Sequence, residues 1–178
     1  MFDVDELIRN VRDAVTDPQP QLATRDALRG ALSDRSAVAA ALPANRAEIV
    51  SLYAGTDVTI LNIFWAPGMT VPPHDHRMWA CIGLYGGREQ NDLFRRADGS
   101  IVESGGVQLD SGDVGLFGDD TIHSVTNPLT HEFASAIHVY GGDFVNTTRS
   151  SWDPETLEEG TTDVEATRAL FDAANRGL

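Results

Sequence analysis

The sequence contains no lysine; all 13 of its basic residues are arginines. A Schiff-base lysine and the phosphate-gripping lysine of a P-loop are thereby excluded, and with them the chemistries that need a primary amine. Cysteine is nearly absent too. Cys81 stands alone and has no partner for an internal disulfide, which excludes a cross-linked secreted scaffold and points to a reducing compartment. No apolar run approaches the ~18 residues that cross a bilayer, and Met1-Phe2-Asp3-Val4-Asp5-Glu6 is acidic where a secretory signal is basic. The expectation is a cytoplasmic protein without a membrane partner. Positive charge is scarce overall: 13 basic against 27 acidic residues leave a net charge of −14. Such a surface repels nucleic acid, so none is expected as a partner, and the acidity reads as a solubility feature.

What is present fits one domain of 178 residues, long enough to bury a core without staples. Val4, Leu7, Ile8, Val11 and Val15 recur at helical spacing, and Leu22, Leu28 and Leu32 continue the pattern after a break at Pro18 and Pro20. This predicts two or three short helices in residues 1–44, packed on a β-rich remainder. Beyond Pro43 the chain turns to β-branched and aromatic runs. Strands are predicted over Val58–Trp65, His74–Tyr85, Glu89–Arg95, Ile101–Leu109, Asp113–Phe117, Thr121–Thr126 and Glu132–Tyr140. Short strands at such even spacing make an antiparallel sandwich or barrel, placed at 45–145. Thr162-Asp163-Val164-Glu165 reads as a capping box that opens a last helix toward Asn175, within a tail at 146–178.

The chemistry lies in the histidines. On a strand, residues two apart share a face, so His74 and His76 point one way and Asp75 the other. Two imidazoles so placed can hold one metal ion, and His123, after the turn at Ser111-Gly112-Asp113, brings a third from another strand. His138 and Tyr140 also lie two apart and share a face, whereas His131, in a turn after Pro128, is expected to be exposed.

These segments resemble the two motifs of the cupin superfamily. The first reads Gly, five residues, His-x-His, three or four residues, Glu, six residues, Gly, and is matched by Gly68, His74, His76 and Gly87; the second is matched by Gly112, His123 and Asn127. Gly118 replaces the second motif's proline, and Ala80 stands where the first has its ligating glutamate. The resemblance covers roughly residues 45–142. It implies an all-β core of the cupin type, a double-stranded β-helix or jelly-roll barrel, here with N-terminal helices and one C-terminal helix.

Loss of the glutamate matters physically. Two imidazoles and a carboxylate leave a divalent ion one net positive charge; three neutral imidazoles leave it two, which favours a thiolate ligand. Three-histidine cupins of this spacing resemble thiol dioxygenases, the cysteine dioxygenase family. His74-Asp75-His76-Arg77-Met78-Trp79-Ala80 is similar to the His-Asp-His-x-x-Trp-Gly run of bacterial mercaptopropionate dioxygenases, and His138-Val139-Tyr140 to the family's His-x-Tyr. The resemblance implies Fe(II) on His74, His76 and His123, catalytic roles for Tyr140 and His138, and a small thiol and dioxygen as substrates. Ala136 replaces a serine that often precedes this histidine by two residues, which leaves the family's relay to the tyrosine incomplete.

The family anchors a substrate carboxylate with an arginine. Ungapped, that position holds Glu48, and Arg46, Arg77, Arg88, Arg95 and Arg96 are the remaining candidates. If no arginine enters the cavity, a thiol lacking a carboxylate is the expected substrate. Cys81 stands five residues beyond His76, at the distance of the cysteine that cross-links the tyrosine in animal cysteine dioxygenases; parity turns it outward, toward the covering helices. Two rival readings are a cupin oxygenase or isomerase on a non-thiol substrate with nickel, manganese or zinc, and a metal or small-molecule sensor without turnover.

Overall fold

A computed structural model describes residues 1–178. Its N-terminal helices form where capping and apolar spacing agree. Helix α1 (Val4–Ala14) is capped by Asp3, whose side chain accepts from Glu6 N at 3.0 Å, and buries Leu7 and Val11 one turn apart. Pro20 opens α2 (Pro20–Ala31), where its missing N–H leaves no bond unmade, and a short 3₁₀ turn leads to α3 (Arg35–Ala41), capped by Asp34.

Eleven strands come next: β1 (Glu48–Ala54), β2 (Thr59–Trp65), β3 (Thr70–Asp75), β4 (Ala80–Gly86), β5 (Arg88–Ala97), β6 (Ser100–Asp110), β7 (Val114–Phe117), β8 (Ile122–Thr126), β9 (Ala134–Tyr140), β10 (Ser150–Trp152) and β11 (Glu159–Thr161). They form two antiparallel sheets, ordered β1-β2-β9-β4-β7 and β11-β10-β3-β8-β5-β6. This is the jelly-roll arrangement expected from the motifs. The helix α4 (Val164–Arg176) closes the chain, and its Asn175 side chain brackets Ala47 by accepting from its N–H at 2.7 Å and donating to its carbonyl at 2.9 Å. No helix is long and apolar enough to cross a membrane.

The structure corrects several details. The run expected from His74 to Tyr85 is two strands, because the chain turns at residues 76–79 with Arg77 at φ 57°. The N-cap of α4 is Asp163, which accepts from both Glu165 N and Ala166 N, and Thr162 lies one residue outside the helix. Strands β1, β10 and β11 have no counterpart in the predicted set. Strands β10 and β11 have three residues each, and β1 lies at a sheet edge.

The central strands of the five-stranded sheet divide their side chains cleanly. Ile60, Phe64, Cys81, Tyr85, Ile137 and Val139 face α1–α3 and pack with Leu7, Val11, Leu28, Leu32 and Val38. Their neighbours Leu61, Ile63, Trp65, Ala80, Ile82, Ala136 and Tyr140 face the space between the sheets. Burying one Leu or Ile side chain contributes on the order of 2 kcal/mol, so the helix-facing layer anchors the sheet. The other layer is left to enclose a cavity.

A candidate metal centre

Strands β3 and β8 pair antiparallel with His74 directly opposite His123. His76 stands just past the end of β3, and a bulge between Val71 and His74 adjusts the approach. The three side chains meet, with one ligand nitrogen from each within 4.8 Å of the others. Their ring centroids are 4.7–5.2 Å apart. His76 and His123 are buried, while His74 is partly open to the cavity. Asp75 turns to the opposite side, as strand parity requires. There its carboxylate takes the Arg77 guanidinium at 2.7 Å and the Ser150 N–H at 2.8 Å, pinning β10 to β3.

The donor set fits a divalent metal ion. His74 Nδ1 lies 2.9 Å from the Pro72 carbonyl and His123 Nδ1 lies 2.7 Å from Asn91 Oδ1. An acceptor opposite Nδ1 requires the proton there, so both Nε2 atoms keep a free lone pair. His76 Nε2 stands 3.1 Å from His123 Nε2, two ring nitrogens aimed at one point. Burial, the largest cause, and the charge of the neighbouring imidazoles hold His76 and His123 well below the ordinary histidine value, and burial lowers His74 as well. Neutral imidazoles are what a transition metal takes. Ala80, at the position of the missing glutamate, is fully buried on the cavity side and offers no ligand.

Around the cluster lies a cavity of about 830 Å³ bounded by both sheets and α4. Tyr140 stands edge-on to His76, its ring centroid 4.9 Å away, and stacks on Phe144 at 3.9 Å. His138 lies beside it, with Nδ1 3.2 Å from the Tyr140 hydroxyl. Burial raises the Tyr140 pKa above its ordinary value, so the phenol is neutral near pH 7. His131 is exposed and takes no part.

None of the arginines expected as an anchor is free to serve as one. Arg77 is paired with Asp75, Arg88 with Asp110 and Arg96 with Glu159; Arg95 is exposed, and Arg46, at the rim of the cavity, faces Asp172 at 3.8 Å. The guanidinium that enters is Arg149, in the segment between β9 and β10. Its Cζ lies 3.7 Å from the Phe144 ring centroid, its Nε is buried without a hydrogen-bond partner, and it makes no ion pair. Burial lowers its pKa from the usual arginine value, yet arginine stays charged. The premise for a substrate without a carboxylate therefore fails.

Sequence reasoning also passed over Glu89 and Asn91, both fully buried behind the cluster. Residues 88–92 read Arg-Glu-Gln-Asn-Asp, polar on both faces, so alternation does not single out this buried pair. Arg149 had no signal either, because the chain between Gly141 and Arg149 is irregular and obeys no parity.

No family model matches the chain. Among solved structures, an RmlC-like cupin protein with a double-stranded β-helix fold from Methanocaldococcus jannaschii aligns at 13% identity and TM-score 0.46, over 57% of this chain and 85% of that one. A protein with a double-stranded β-helix domain from Klebsiella pneumoniae aligns at 15% identity and TM-score 0.47, over 61% and 82%. The DMSP lyase DddQ from Ruegeria pomeroyi aligns at 16% and TM-score 0.48, over 62% of this chain and 53% of the lyase. At such identities the neighbours' activities say nothing of this chain's chemistry, which rests on its own side chains.

Proposed function

We propose that the chain is a mononuclear non-haem iron dioxygenase that converts a small thiol bearing an anionic group, together with O₂, into the corresponding sulfinic acid. The observation that carries this reading is an all-imidazole cluster facing the same cavity as an unpartnered guanidinium. Fe(II) on His74, His76 and His123 would supply the redox activation of dioxygen and an attachment point for sulfur. The reaction balances as RSH + O₂ → RSO₂H, with both oxygen atoms retained by sulfur.

The chain's own residues account for the rest. Three neutral imidazoles leave the charge of a divalent ion undiminished, which favours the thiolate over the thiol. Arg149 would bind the anionic end of the substrate through its planar fork, its plane held by the Phe144 ring. Tyr140, beside His76, would meet the reacting end, oriented by His138. Leu61, Trp65, Val125 and Phe171 line the cavity with apolar surface that excludes water, and a fixed orientation of two reactants can lower the barrier by ~7 kcal/mol or more.

The test is oxygen consumption by the iron-loaded protein across thiols with and without a carboxylate, with product identified by mass. Mercaptopropionate or cysteine is expected to drive uptake, and cysteamine to do so poorly. Arg149→Gln should raise KM for the carboxylated thiol by roughly tenfold to a hundredfold, the worth of a charge-assisted hydrogen-bonded pair, with metal content unchanged. Uptake indifferent to thiols would sink the reading; a preference for cysteamine would sink the role of Arg149.

A further inference from the structure

Glu89, in β5, is fully buried, and the proposed reaction does not use it. Its two oxygens are shared between two halves of the site. Oε1 accepts from Asn91 Nδ2 at 3.1 Å, and the other end of that amide, Oδ1, faces His123 Nδ1 at 2.7 Å. Oε2 accepts from Trp65 Nε1 at 3.0 Å and lies 3.5 Å from His138 Nε2, a buried ring nitrogen that makes no hydrogen bond. The opposite nitrogen of that ring faces the Tyr140 hydroxyl. His138 is the only basic side chain within ion-pair range of Glu89.

We infer that Glu89 is the positioning residue that sets the hydrogen-bond direction on both sides of the centre, fixing His138 against Tyr140 and, through Asn91, His123 against the metal. The negative charge of a buried carboxylate 3.5 Å from Nε2 favours the tautomer with its proton there. The neutral ring then has a bare Nδ1 that only accepts, so Tyr140 gives its O–H to His138 and turns its lone pairs to the cavity. Tyr140 is therefore an acceptor toward whatever occupies the cavity. On the other side, Asn91 commits its N–H group to Glu89, which turns Oδ1 to His123 Nδ1–H and keeps His123 Nε2 free. Ala136 has no group to offer His138, and Glu89 reaches that ring from the opposite sheet instead.

Only the meaning of the Tyr140 lone pairs rests on the proposed oxygenase function; the tautomer does not. The experiment is ¹⁵N-histidine NMR of the full-length protein, metal-free and loaded with Zn(II), with His138 identified by its absence in His138→Gln. Expected is His138 protonated at Nε2 and bare at Nδ1. Glu89→Gln keeps the shape but places an NH₂ group against one donor or the other. Either His138 changes tautomer, or Asn91 turns over and Zn(II) affinity, measured by competition with a chelator, falls about tenfold to a hundredfold. Asn91→Ala should weaken Zn(II) and leave the His138 tautomer as it is. A wild-type His138 protonated at Nδ1 overturns the inference, as does a Glu89→Gln protein with both readouts unchanged. Should Glu89→Gln fail to fold, the wild-type tautomer decides alone. None of these readouts requires turnover, so a failed thiol assay and a failed inference are distinguishable.

Discussion

The two faces of the five-stranded sheet are built from the same strands by the same alternation, and they do opposite work. On the helix side, Cys81, Ile137 and Val139 are sealed under α1–α3 with aliphatic neighbours, and the polar contact between the Tyr85 hydroxyl and Asn62 Oδ1 is closed at 2.9 Å. On the cavity side, Ala80, Ala136, His138 and Tyr140 stand one residue along from these, against histidines, a carboxylate and open volume. Small residues at Ala80 and Ala136 make room, while the apolar face supplies the rigidity that holds His138 and Tyr140 toward the cavity. Stability and chemistry are thus separated by a single step along each strand.

The largest break expected is across the cavity from that sheet, His123→Ala on β8, which removes one of the three imidazoles that would hold the metal and should abolish most metal binding. Full metal occupancy by elemental analysis of the purified variant would show the site to be elsewhere. The matching break on the helix face is Leu28→Ala, fully buried in the aliphatic layer. It should cost ~2–5 kcal/mol of unfolding free energy by denaturant titration, with metal stoichiometry per folded molecule unchanged. If it lowered both equally, the two faces would not be separable.

A smaller effect is expected from pH. In the metal-free protein, His76 and His123 lie well below their ordinary value, whereas the unfolded chain protonates near 6.5. As pH falls below 6.5 the unfolded state binds more protons than the folded one, so stability is lost, at up to about 1.4 kcal/mol per pH unit for each group. The helix face adds no such slope, because burial pushes both the Cys81 thiol and the Tyr85 phenol up to about 12. A chelator-treated protein with the same denaturation midpoint at pH 7 and pH 5 would contradict this.

The smallest effect sharpens the same boundary. Cys81 packs beneath the helices, whereas Tyr140 faces the cavity, so no thioether can join them without turning a strand over. Cys81→Ser should leave activity within a few-fold of the parent, and peptide mapping after aerobic turnover should find no Cys81–Tyr140 linked peptide. Such a peptide, two hydrogens lighter than the sum of its parts, would mean that β4 presents its other face.

By itself the sequence determined the features whose physics is local. Strand alternation set the faces of β2, β4 and β9, and helical spacing with Asp3 and Pro20 set α1 and α2. The spacing of His74, His76 and His123 carried the expectation of a cluster that the structure brings within 4.8 Å. Parity also placed Cys81, although the count from His76 ran across a turn that no periodicity announces. What only the tertiary structure decided is which distant groups converge. Arg149 enters from an irregular segment after β9, and Glu89 reaches His138 from the facing sheet. Periodicity reports which way a side chain leaves its own backbone, while the distance between side chains of different elements depends on sheet packing and loop path, which no short stretch of sequence encodes.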